Sequence, residues 1–288
     1  MKKFLSTAVI LGALYGTANA TVVTSPIYMP ESGKIVSNIS IGKQKTKYDK
    51  VFDSADKKTM EESWKIEALG KIGLTEKLAL NYDFDFRFDQ KENDLEKSAS
   101  FKEFSIGLTG RAFESGANKF DVIFNVGQSD FFIDDQVFAD LTVRYGLDLD
   151  MYNLGFSFGA RYYNEVEEKY EDGEKYKADS FVAFRFDLEN EFIFTKNFTM
   201  GLDLFYEFNP EIKTKETELD SGTGALVTTK TKIKSFDRYG FNVDANYGIN
   251  DNNFIGVYFG MDFTKDFKDI TGKDPKETEF GIKYTTQF

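Results

Sequence analysis

The chain has 288 residues, a formal charge of −12, no histidine, no cysteine and 16% aromatic residues. An acidic chain of this kind is a poor candidate for nucleic acid, because phosphate binding draws on clustered Lys and Arg. Without His or Cys it lacks the imidazole base, the thiolate nucleophile and the His-ligated metal site, so no enzyme activity, no metal and no cofactor is expected.

Lys2 and Lys3 precede a largely apolar run over residues 4–14, and Ala18-Asn19-Ala20 offers an A-x-A cleavage site. This is the pattern of a secretory signal peptide over residues 1–20, and the run falls short of the ~20 apolar residues of a spanning helix. Residues 21–33 are expected as a short periplasmic segment and residues 34–288 as one all-β domain.

From residue 35 onward the side chains alternate with a period of two. Leu78, Leu80, Tyr82, Phe84, Phe86 and Phe88 fall on one face of a strand, and Ala79, Asn81, Asp83, Asp85 and Arg87 on the other. The same pattern marks strands over 35–41, 64–74, 78–88, 104–112, 120–126, 137–147, 154–162, 182–194, 198–208, 239–249, 255–263 and 280–288. Short turns (75–77, 113–118, 148–152, 195–197, 250–253) alternate with longer charged connections (47–62, 89–99, 129–136, 164–177, 209–233, 265–276). Twelve strands with short turns on one rim and long loops on the other predict a closed antiparallel transmembrane barrel. The mean hydropathy of −0.41 does not contradict this, since only every second side chain of such a strand meets lipid. Two long connections are expected to continue as hairpins, one turning at Asp172-Gly173 and one around residues 221–224.

The last strand carries Phe280, Ile282, Tyr284, Thr286 and Phe288 on one side and ends on that aromatic. It resembles the closing strand of porin-like bacterial outer-membrane β-barrels. The resemblance implies the outer membrane of a Gram-negative bacterium, a lipid surround, and an assembly machinery that reads Phe280, Ile282, Tyr284 and Phe288 as its signal.

On this register the inward face is charged. Arg87, Arg111, Arg144, Arg161, Arg185 and Arg238, with Lys65, Lys71 and Lys283, oppose a larger set of acids. Those proposed to line a pore are Asp83, Asp85, Glu103, Asp121, Asp140, Asp187, Glu189, Asp203, Glu207, Asp244 and Asp262, and Glu67, Asp89 and Glu191 also face inward. Many glycines, among them Gly73, Gly107, Gly146 and Gly155, fall on the same face, which suggests curvature or a need for lumen space. The expected function is a porin-like channel for passive diffusion of small polar solutes or ions, with rings of charge setting a modest cation preference. The alternative is a plugged, structural or adhesin-like barrel that binds partners through its extracellular loops.

Overall fold

The computed structural model describes residues 23–49, 58–92, 95–97, 100–129, 136–169, 175–219, 226–266 and 274–288. The expected signal peptide and the two hairpin tips, at 172–173 and 221–224, lie outside these residues. In chain order the strands are β1 (Ile35–Asp49), β2 (Lys58–Thr75), β3 (Leu78–Glu92), β4 (Leu95–Lys97), β5 (Ser100–Ser115), β6 (Asn118–Ser129), β7 (Gln136–Leu149), β8 (Tyr152–Tyr163), β9 (Val166–Lys169), β10 (Lys175–Ala178), β11 (Phe181–Thr195), β12 (Phe198–Asn209), β13 (Ile212–Leu219), β14 (Leu226–Ile233), β15 (Phe236–Asn250), β16 (Asn253–Lys265) and β17 (Lys276–Gln287).

Twelve of these form the barrel wall: β1, β2, β3, β5, β6, β7, β8, β11, β12, β15, β16 and β17. Each pairs antiparallel with the next, and β1 pairs with β17 from Val36↔Gln287 to Lys47↔Lys276, so the sheet has no free edge. Closure is what hydrocarbon demands, because an unpaired backbone donor or acceptor there has no water to turn to. The outer face is apolar as the alternation requires: Ile39, Ile66, Phe104, Ile106, Phe124, Leu141, Phe156, Phe186, Val257, Phe280 and Ile282 all stand exposed. So continuous an apolar band on a single chain marks contact with lipid rather than water. Aromatic side chains flank it. Phe113, Tyr145, Phe194, Phe198 and Tyr247 lie close in sequence to the short turns and Tyr284 near the C-terminal end of β17 on the same rim, and Tyr162, Tyr206, Phe208 and Tyr239 lie near the opposite strand ends. Two of the first group anchor their hydroxyls on turn asparagines, Tyr145 on Asn118 and Tyr284 on Asn253.

The seam between first and last strands extends to the final residue. Phe288 N–H donates to the Ile35 carbonyl at 2.9 Å, and its ring is 68% exposed. The ring therefore adds little packing to the finished barrel. Deleting Phe288 should lower the amount of folded protein reaching the outer membrane in cells while leaving detergent refolding in vitro less affected. Equal membrane levels of full-length and truncated protein would contradict this.

Beyond the rim that carries the long connections the strands of both expected hairpins pair, and they join into one four-stranded sheet in the order β14-β13-β10-β9. One face of this sheet, through Ala178 and Ile212 with Val166, Tyr176 and Ile233 beside them, packs on Phe138, Tyr163, Phe181 and Ala183 of the barrel. Arg161 lies over the Phe138 ring at 4.0 Å, which ties this apolar cluster to the charged lumen.

Candidate functional site: the barrel lumen

The alternation that turns apolar side chains to lipid turns the charged ones inward, where they sort into clusters. At one, Asp121 accepts from Arg111 Nε at 2.8 Å and from Arg144 Nη2 at 3.0 Å, with Glu189 at 3.7 Å from Arg144. Asp121, Arg111 and Arg144 are all buried, at 1%, 6% and 6% exposure. Arg161 holds Glu103 at 3.0 Å and Asp140 at 3.1 Å. Arg185 meets Asp187 at 2.7 Å and Glu207 at 3.9 Å, and Arg238 reaches Glu207 at 3.4 Å and Asp262 at 3.7 Å. Lys65 sits among Glu67, Asp85 and Glu279 at 3.3–3.6 Å, and Arg87 also approaches Asp85. Asp244 pairs with Lys283 at 2.8 Å. Among the described residues Asp83 and Asp203 line the interior without an ion pair.

The lining residues expected from sequence therefore gather into these clusters, with Asp83 and Asp203 apart. Alternation alone assigned the face, but it could not say which charges would cancel. Among the lining residues that escaped the sequence reading are Glu279 and Tyr258, whose hydroxyl donates to Glu279 at 2.6 Å. Their signal was present, since Glu279 adjoins the outward Phe280 and Tyr258 the outward Val257.

The larger surprise is the stretch before β1. Residues 23–34 fold into the end of the barrel that carries the short turns and cross its mouth. Val23 packs against the inward-facing Ile193 and Phe254. Thr24 donates to Glu191 on β11, and the Ile27 carbonyl accepts from Arg111 Nη2 at 2.7 Å. Tyr28 donates to Gln287 at 3.1 Å, while its carbonyl accepts from Lys71 Nζ at 3.0 Å. Ile27 is 1% exposed. Inward glycines make this approach possible. A Cβ at Gly73 would lie 2.0 Å from the Glu31 carbonyl oxygen, and one at Gly146 would lie 2.6 Å from Ile27 Cγ2. Part of the glycine bias thus answers to a segment seated inside the barrel rather than to empty lumen.

Among the described residues the interior holds cavities of about 580 Å3 and about 420 Å3. The larger is lined by Lys65, Glu67, Arg185, Asp187, Glu189, Asp203, Asp244, Asp262, Glu279 and Lys283, the smaller by Lys71, Asp83, Glu103, Arg144 and Arg161. They adjoin at Thr24, Pro26, Asn38, Leu69 and Glu189, so the N-terminal segment helps to bound both.

No protein-family model matches the chain, and no curated protein matches it. Solved structures do. An outer membrane channel from Pseudomonas putida F1 superposes with a TM-score of 0.61 at 13% identity, over 91% of this chain and 97% of that one. The transport unit of the autotransporter AIDA-I from Escherichia coli gives 0.51 at 11% identity, over 99% and 97%. The translocator domain of the autotransporter NalP from Neisseria meningitidis gives 0.51 at 9% identity, over 90% of each. At these identities the likeness is one of fold. The chain thus shares the fold of these outer-membrane β-barrels, and its closed sheet and lipid-facing apolar band point to the outer membrane.

Proposed function

We propose that the protein is a narrow, passive channel for small polar solutes or ions, without cofactor, catalysis or energy coupling. The observation that carries this reading is the pair of adjoining charged cavities inside a closed wall. A polar, charge-lined interior favours water and ions, and low-dielectric walls focus the field of its charges. The inward acids, with Glu279 now added, outnumber the bases, and most of both are held in mutual pairs. Among the described residues the inward acids without an ion pair, Asp83, Glu191 and Asp203, outnumber the one such base, Lys71, and so set the sign, while the two guanidiniums around Asp121 temper it.

Refolded protein in planar bilayers should show small unitary conductance and a cation preference of a few-fold, read from the reversal potential across a salt gradient. Asp203→Asn and Asp83→Asn should each lower that preference. A clear anion preference in the unaltered protein would overturn the charge assignment.

The ion-paired lumen, with a chain segment across one mouth and a folded sheet beyond the other, favours a second reading: a closed barrel that acts through its extracellular face. This reading requires bilayers that stay silent in the presence of correctly folded protein.

A further inference from the structure

The four-stranded extracellular sheet has two unlike faces. Side chains alternate across it, and one face is buried through Thr214, Ala178 and Ile212. The strand registers place six lysines together on the opposite face. Lys213 stands opposite Lys232, and Lys215 is flanked by Lys230 on one side and Lys177 on the other. Lys175 lies one step along, opposite Thr217. Lys175, Lys213, Lys230 and Lys232 are exposed. Neighbouring strands lie ~4.8 Å apart, so these are like charges set side by side, an arrangement that weakens a sheet. Carboxylates offset part of it: Glu165 pairs with Lys177 at 2.5 Å and raises its pKa, Glu211 pairs with Lys232 at 2.7 Å, and Glu167 stands opposite Lys177.

A structural purpose explains only some of these lysines. Charged side chains on an edge strand discourage a second chain from pairing there, and Lys230 and Lys232 lie on the edge strand β14. Lys177, Lys213 and Lys215 lie on β10 and β13, which have partners on both sides, so they guard no edge. A same-sign cluster that costs stability on an otherwise acidic chain of charge −12 is a concentrated attraction for anions.

We propose that this face docks a linear anionic polysaccharide, one whose sulfate or carboxylate groups recur along the chain. Three features choose this partner. The cluster consists of lysines, whose flexible, compact charges suit spaced anions better than bidentate recognition of a single group. Thr217 and Thr228 lie among them, hydroxyl to hydroxyl at 3.0 Å, and offer hydrogen bonds of the kind a sugar uses. Among the described residues the strand registers put no aromatic side chain on this face, so these strands offer no platform for stacking bases, which disfavours single-stranded nucleic acid. The opposite face of the sheet packs on inward-facing barrel residues, which seats it toward the mouth rather than over the surrounding lipid. This inference does not depend on the lumen conducting.

The test uses the full-length protein in zwitterionic nanodiscs, with heparin as the sulfated probe and polygalacturonate as the carboxylated one. Binding of at least one probe at physiological salt is expected, weakening steeply as salt rises. The triple variant Lys213→Gln, Lys215→Gln, Lys230→Gln should lose at least tenfold in affinity, and the corresponding triple Lys→Arg variant should retain most of it. Lys43→Gln with Lys45→Gln, at a site where both lysines already pair with Glu62, should bind as the unaltered protein does. Heat-modified migration on gels confirms that each variant is folded. No binding of either probe, or equal binding by the Gln triple, overturns the proposal. Lysine-dependent binding to vesicles containing lipopolysaccharide but to neither polysaccharide also overturns it, assigning the face to membrane headgroups instead.

Discussion

Deletion of residues 23–33, with residue 22 joined directly to residue 34, is expected to raise single-channel conductance several-fold. The segment spans the mouth through contacts with Arg111, Lys71, Glu191 and Gln287, and it bounds both cavities. None of the barrel strands loses a residue in this variant, so closure and membrane insertion should persist. Gly146→Leu should act in the same direction without shortening the chain, because its side chain would claim the space that Ile27 fills. Planar-bilayer recordings of the three proteins at equal salt provide the comparison. Unchanged conductance in both variants would show that the constriction lies elsewhere, with the outer Arg161 and Arg185 clusters the next candidates. Silence in all three would favour the closed barrel.

Asp121→Ala should be the most destabilising single change in the lumen, at about 3–5 kcal/mol, the range for leaving a buried charge without its partner. Asp121 is the shared carboxylate of Arg111 and Arg144, and all three side chains are almost wholly shielded from water. Its loss would set two guanidiniums facing each other, with Glu114 and Glu189, at 3.5 and 3.7 Å, the remaining carboxylates near them among the described residues. Urea unfolding in lipid vesicles, followed by tryptophan fluorescence from the single Trp64, would read the shift. Double substitution of Arg144 and Asp121 by Met and Ala should cost less than the sum of the single changes, because the buried charge is removed along with its partner. A cost below about 1 kcal/mol for Asp121→Ala would mean that water reaches the cluster and screens it.

The clusters themselves were only half legible in the sequence. That Arg161, Glu103 and Asp140 would all point inward follows from the apolar residues on either side of each, since a two-residue period leaves no other choice. That Arg161 would bridge those two while Asp83 and Asp203 have no ion pair among the described residues depends on the stagger between strands. One bulge between Asp85 and Phe86, where the partner jumps from Glu103 to Phe101, is enough to change which heights meet. Likewise the two hairpins could be read locally from turn residues, whereas the pairing of β10 with β13 joins segments far apart in the chain, and no local signal announces it.

The sequence by itself determined the architecture: an all-β chain, twelve wall strands, which side chains meet lipid, and which rim carries the turns. These follow from a local rule enforced by the solvent, because in hydrocarbon every backbone group must be paired and every exposed side chain apolar. Tertiary structure alone decided what the enclosed space holds. The seating of residues 23–34 in the mouth, the sharing of Asp121 between two arginines and the gathering of lysines onto one extracellular face all arise from contacts across the barrel or between hairpins. Such contacts are fixed by strand stagger and side-chain reach in three dimensions, which a two-residue period does not encode.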